Sequence, residues 1–110
     1  MNKQNLIWGL EELSDRDMQE RIWLGNSPGE MSSFVEAICS TFDDSGLGAA
    51  LDSNRDKVEI SPELREKALQ LDRLIKNVPQ TLAEIEIINH PVMQEIRIIA
   101  GEMLLHLNKE

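Results

Sequence analysis

The most specific ligand spacing in the chain lies between Asp52 and Glu63. Asp52, Asn54 and Asp56 alternate, and Glu63 is the twelfth residue counted from Asp52. Oxygen donors at those positions are the ones a calcium-binding EF-hand loop uses. The rest of the loop departs from that pattern. Lys57 stands at the sixth position, where glycine makes the sharp turn, and Glu59 occupies the usual apolar eighth. Arg55 and Lys57 add positive charge, and Pro62 crowds the end. Glu63 is also explained as part of a helix start, so an ordinary polar loop is the stronger reading. Calcium-dependent binding is the least favoured alternative.

Nucleophiles and bases are few. His90 precedes Pro91 in a turn, and His106 lies near the C-terminus of a helix, where its charge suits the negative end. Neither stands at a recognised spacing from a nucleophile or an acid. Cys39, the single cysteine, lies on the inner side of an apolar helix and reads as a small hydrophobe. A reactive thiolate needs a nearby cation, and the segment from Ile22 to Asn54 contains none. Gly46 and Gly48 lack the strand and lysine of a phosphate-binding loop. No catalytic, cofactor-binding or metal-binding residue is assigned, and the chain is expected not to be an enzyme.

The distribution of charge is more informative. The chain of 110 residues has 11 Lys+Arg and 20 Asp+Glu, a formal net charge of -9. Such a surface repels nucleic acid and anionic membrane and speeds association with a cationic partner. Residues 1–54 hold ten acids and three bases, and the remainder holds ten acids and eight bases. Between Ile22 and Asn54 there are five acids and no base. Asp43 and Asp44, then Glu36, Glu30 and Asp52, are the candidate contacts for Lys and Arg of a partner. A merely solvated acidic face is the alternative of equal weight. Trp23 is a candidate aromatic anchor, against a favoured reading as a partly buried core residue, and Trp8 reads the same way.

These residues must be positioned by helices. Leu6, Leu10 and Leu13 recur at helical spacing, with Ile7 beside them, and Ser14 reads as the N-cap of a second helix. Met18, Ile22 and Trp23 give that helix an apolar face, and Gly25 ends it. Ser32 or Ser33 caps a third helix whose inner face is Phe34, Val35, Ile38 and Phe42. The run Asp43-Asp44-Ser45-Gly46 breaks it, and Leu47, Ala50 and Leu51 make short helical turns. Ser61-Pro62-Glu63 starts a long helix with Leu64, Ala68, Leu71, Ile75 and Val78 facing inward. A shorter helix from about Thr81 to Ile88 turns Leu82, Ile85 and Ile88 inward. Asn89-His90-Pro91 starts the last helix, with Met93, Ile96, Ala100, Met103 and Leu107 as its stripe.

The expected fold is all-α: residues 1–110 as a single-domain bundle of about five or six helices, with two longer antiparallel C-terminal helices. Hydrophobic residues make up 41%, enough for one core. No stretch approaches the ~20 apolar residues of a membrane span. The N-terminus reads as neither a secretory signal nor a transit peptide. With one cysteine and no internal disulfide, a cytoplasmic location is expected.

Several runs resemble a set of small acidic, all-helical bacterial proteins. They are Leu10-Glu11-Glu12-Leu13-Ser14, Gln19-Glu20-Arg21, Trp23-Leu24-Gly25, the stretch from Ser33 to Cys39, and Phe42-Asp43-Asp44-Ser45-Gly46-Leu47. Glu86 to Pro91, with Met93, Ile96, Arg97 and Ala100, extends the likeness over most of the chain. The resemblance is to immunity proteins of polymorphic-toxin and contact-dependent growth inhibition systems. It implies inhibition by tight binding of a cognate toxin with a basic surface, often a nuclease, without cofactor, nucleic-acid or membrane partner. The free protein is then a monomer or weak homodimer. The competing reading is a structural or regulatory helical module that homodimerises through its last two helices.

Overall fold

Three leucines at helical spacing, all fully buried, fix the inner face of α1 (Lys3–Ser14). The computed structural model describes residues 2–26, 28–29, 31–52 and 60–109, with Asp52 described by its backbone alone. The Asn2 side chain caps α1 by accepting from the Asn5 N–H at 3.1 Å. Ser14 is not the cap of the next helix, contrary to the expectation from sequence. It stays helical and donates back to the Glu11 carbonyl at 3.1 Å. Asp15 takes the cap, extended at φ -115°, and accepts from the Met18 N–H at 3.1 Å. A carboxylate satisfies that N–H and also suits the positive helix end. Helix α2 (Arg16–Trp23) ends where Gly25 adopts φ 73° and the Asn26 N–H reaches the Arg21 carbonyl at 2.9 Å. That pairing is a Schellman closure, and it requires a residue that tolerates positive φ.

Helix α3 (Phe34–Ile38) starts at Ser33, whose hydroxyl accepts from the Glu36 N–H at 3.1 Å. It does not stop at Ile38 but widens into a π-helical segment, Cys39–Asp44. The inner positions are Phe34, Ala37, Thr41 and Phe42, and Val35 is 40% exposed rather than buried. Thr41 occupies that face because α1 approaches there without a side chain. A Cβ on Gly9 would overlap the Thr41 hydroxyl and lie 2.8 Å from its backbone nitrogen. The Asn2 N–H to Ser45 carbonyl bond, 2.6 Å, and the Asn5 amide to the Asp44 carbonyl, 3.4 Å, fasten the start of α1 to the end of the π segment. Helix α4 (Leu47–Asp52) follows. Arg65 donates to its terminal carbonyls of Ala50 and Leu51, at 3.1 and 2.6 Å.

Helices α5 (Pro62–Lys76) and α7 (Pro91–Asn108) run antiparallel, as expected. Ser61 meets His106 at one end of the pair, and Lys67 meets Glu102 at 3.5 Å further along. All five expected inner residues from Leu64 to Val78, and all five from Met93 to Leu107, are buried. The pair is not the whole spine, because α7 packs as extensively on α1 as on α5. Helix α6 (Glu84–Ile88) is shorter than expected. It buries Ile87 and Ile88 and leaves Ile85 46% exposed. The short helix turns a different side inward than the longer expected one would. Seven α-helices are described where five or six were expected, and no strand occurs among the described residues. One hydrophobic core joins residues of α1 through α7 and the π segment. No helix is long and apolar enough to cross a membrane among the described residues.

A buried polar junction closes the fold. Gln19 is fully buried, and its amide donates to the Glu12 and Leu13 carbonyls, both at 2.9 Å. Its oxygen accepts from Arg97 Nε at 3.0 Å, and Arg97 Nη2 donates to the Ile88 carbonyl at 2.7 Å. Helices α1, α2, α6 and α7 therefore meet at one amide and one guanidinium.

Packing at the helix glycines and the Gln19–Arg97 contact set the expected response to substitution. Gly9→Ala should destabilise the fold by about 2 kcal/mol through overpacking against Thr41, seen as a lower urea midpoint at constant m. Gly101→Ala, whose added Cβ meets nothing, should instead stabilise by about 0.5–1 kcal/mol. Gln19→Leu should cost about 3 kcal/mol, because it strips buried carbonyls and a guanidinium of their partner. Pairing it with Arg97→Met should cost clearly less than the sum of the two single changes, and strict additivity would refute the coupling.

Candidate functional site

One of the two histidines considered for chemistry is engaged as a helix cap, and the other contacts the cap of a second helix. His90 Nδ1 accepts from the Val92 N–H at 3.1 Å and so caps α7, with Pro91 as the first helical residue. His106 lies 2.8 Å from the Ser61 hydroxyl through Nε2 and 3.8 Å from Glu63 Oε2 through Nδ1. The order serine, histidine, carboxylate is that of a hydrolytic triad, and sequence reasoning missed it because Ser61 and His106 are 45 positions apart. Ser61 Oγ is already the acceptor for the Leu64 N–H at 3.1 Å, the N-cap of α5. That bond uses one of the two lone pairs of the hydroxyl and holds it at the helix start. The contacts act as a tie between the start of α5 and the end of α7.

Of the calcium-like spacing, Asn54 and Asp56 lie outside the described residues, as does the side chain of Asp52. Glu63 sits in the first turn of α5, with its carboxylate exposed beside His106. Among the described residues no group of three or more His, Cys, Asp or Glu side chains could hold a metal ion.

Three of the five acidic candidates have described side chains. Glu36, Asp43 and Asp44 are all exposed, and all three act electrostatically on the Cys39 thiol. Burial pushes that thiol above its ordinary value. The Asp43 charge, a hydrogen bond to Asp43, and the Asp44 and Glu36 charges push it in the same direction. The π segment sorts these side chains: Thr41 and Phe42 point into the core, and Asp43 and Asp44 remain outside. Next to them a groove of about 340 Å³ opens between the π segment, α4 and α5. Ile38, Phe42, Leu51 and Leu69 form its apolar lining, and Asp43, Asp72 and Lys76 its charged rim. Glu30 lies outside the described residues, and the Asp52 side chain has no described position relative to the cluster.

Trp23 does not serve as a surface anchor. It is 5% exposed, packs edge-on against Phe34 with ring centroids 5.8 Å apart, and donates its indole N–H to Glu12 at 2.6 Å. The ring completes the core under α2, and the carboxylate satisfies its polar atom. Trp8 is the reverse case. It is 60% exposed on α1, because Leu6, Gly9 and Leu10 already fill the inner face.

The raised thiol pKa gives a direct test. Cys39 should alkylate more slowly than a free cysteine near neutral pH, with the rise in rate displaced to more alkaline pH. Asp43→Asn should speed the reaction a few-fold by removing one carboxylate charge, and a rate rise at or below the free-cysteine pH would contradict this environment. Protein-family models, curated proteins and solved structures yield no match to this chain, so the reading of its surface rests on the geometry above.

Proposed function

We propose that this chain is an immunity-type protein that binds a cognate bacterial toxin with a basic surface and neutralises it without turnover. The observation that carries the reading is that Glu36, Asp43 and Asp44 are all exposed and all act on the one thiol of Cys39, within a segment that contributes no base. Like charges held together raise the local potential, steer a cationic partner into encounter and reject anionic ones. A nuclease with a cationic substrate groove is the toxin class whose charge this face fits best. No cofactor or nucleic acid enters the proposal, and action is placed in the cytoplasm. Trp8 replaces Trp23 as the aromatic available to an interface.

A second reading has its own observation. Ile98 and Leu105 are exposed on α7, seven residues apart, with Gly101 between them. Two apolar residues one heptad apart on the same helix face suit self-association. Sedimentation at micromolar concentration separates the readings: a tight homodimer favours the second, and a monomer or weak dimer favours the first.

The decisive variant is Asp43→Lys with Asp44→Lys. It should keep its far-UV helicity and lose about tenfold or more in association rate with the cognate toxin. The deficit should shrink as salt is raised, because exposed charges are screened beyond ~8 Å at physiological ionic strength. Unchanged association and unchanged protection of a toxin-expressing cell would remove the acidic face from the interface.

A further inference from the structure

We infer that the groove between the π segment, α4 and α5 seats an amphipathic, Lys- or Arg-bearing segment of a protein partner. An aliphatic side chain enters the groove, and the partner's cations meet its acidic rim. This rests on the reading above that the partner is a basic protein. The lining of Ile38, Phe42, Leu51 and Leu69 leaves apolar surface open to water. Leu69 is the clearest case, 39% exposed on the outer side of α5. A volume of about 340 Å³ matches the lower range of sites that take up ligand groups.

The rim determines the sign of the occupant. Lys76 Nζ lies 2.9 Å from Asp72, so that rim cation already faces a carboxylate. Asp43 remains, with Asp44 next in sequence and Glu36 acting on the same thiol. An anionic or lipid surface would set its charge against these carboxylates. A purely hydrophilic cation would leave the apolar lining wet. A segment that carries both an aliphatic residue and a base satisfies lining and rim together. Such pairing of an apolar anchor with flanking charge is how amphipathic segments dock in grooves.

The test compares two synthetic probes of equal charge on the full chain: an amphipathic Leu/Lys helical peptide and oligolysine. Backbone amide shifts are followed at low and high salt. The amphipathic peptide should perturb Ile38, Phe42, Gly48, Leu51 and Leu69 and bind at least tenfold more tightly than oligolysine. Leu69→Gln leaves charge and helix propensity in place, and it should abolish that preference while retaining the weak oligolysine binding. Equal binding of both probes would overturn the groove and leave the charge-based reading standing. So would perturbations centred on Ile98 and Leu105. If the groove perturbations are present but the doubly charge-reversed variant still neutralises its toxin normally, the functional reading fails and the groove does not.

Discussion

The fold depends on one buried amide. Helix α1 ends at Ser14 and α2 begins at Arg16, with Asp15 alone between them. A junction this tight leaves the last carbonyls of α1 without the usual intrahelical donors and with little access to water. Gln19 supplies the donors from the next helix, two at once, to Glu12 and Leu13. Its remaining oxygen then needs a donor of its own, and Arg97 provides it. The guanidinium is partly desolvated and lies near the Arg16 charge, both of which disfavour its ionised form, while Glu20 supports it. Arg16 is drawn away by Glu20 at 2.9 Å and Asn89 at 2.6 Å. The result is a polar network without an unpaired buried side-chain atom among the described residues. That is the condition under which such networks rigidify a core instead of weakening it.

With α1 fixed at one end by Gln19, its other end is free to hold the π segment. Gly9 admits Thr41 to backbone contact, and Asn2 and Asn5 bind the carbonyls of Ser45 and Asp44. Thr41 in turn donates to the Ala37 carbonyl at 2.7 Å, and Ser45 donates to the Thr41 carbonyl. The polar atoms on the inner side of the segment are thus used internally, and the carboxylates are left outward. Three of the four bases of α5 have partners other than these carboxylates: Arg65 at the end of α4, Lys67 at Glu102 and Lys76 at Asp72. The acidic potential around Asp43 therefore follows from the way the fold satisfies its helix ends, as well as from composition.

What was legible in the sequence follows the range of each interaction. The apolar steps of α5 and α7 and the Ser61, His90 and Gly25 boundaries are local signals, and they mark real elements. Clustering of Asp43 and Asp44 with Glu36 was legible because one continuous stretch of chain carries all three. The inner faces of α3 and α6 were misread at Val35 and Ile85, since a π widening and a late helix start both rotate the face. Gln19 gave no sign of burial because its partners lie on α1 and, 78 residues away, on α7. Trp8 and Trp23 were indistinguishable as residue types, and packing alone separated them. The groove was likewise invisible, since Leu69 meets Phe42 and Leu51 only through tertiary packing.

Charge and groove would contribute to binding at different steps. Exposed carboxylates act across a Debye length, before contact, and so set how often a cationic surface arrives in a useful orientation. They contribute less once both surfaces are hydrated and in contact, because each exposed pair is screened. Lifetime depends instead on the apolar area removed from water at the centre of an interface, where a few well-packed side chains dominate. A surface with acids alone would capture many basic proteins and release them quickly. An apolar groove alone would select poorly and invite aggregation. On the proposed reading, Leu69, Phe42 and Leu51 beside Asp43 would combine fast encounter with slow release on one face, the pairing required of an inhibitor that must reach a toxin before its substrate does.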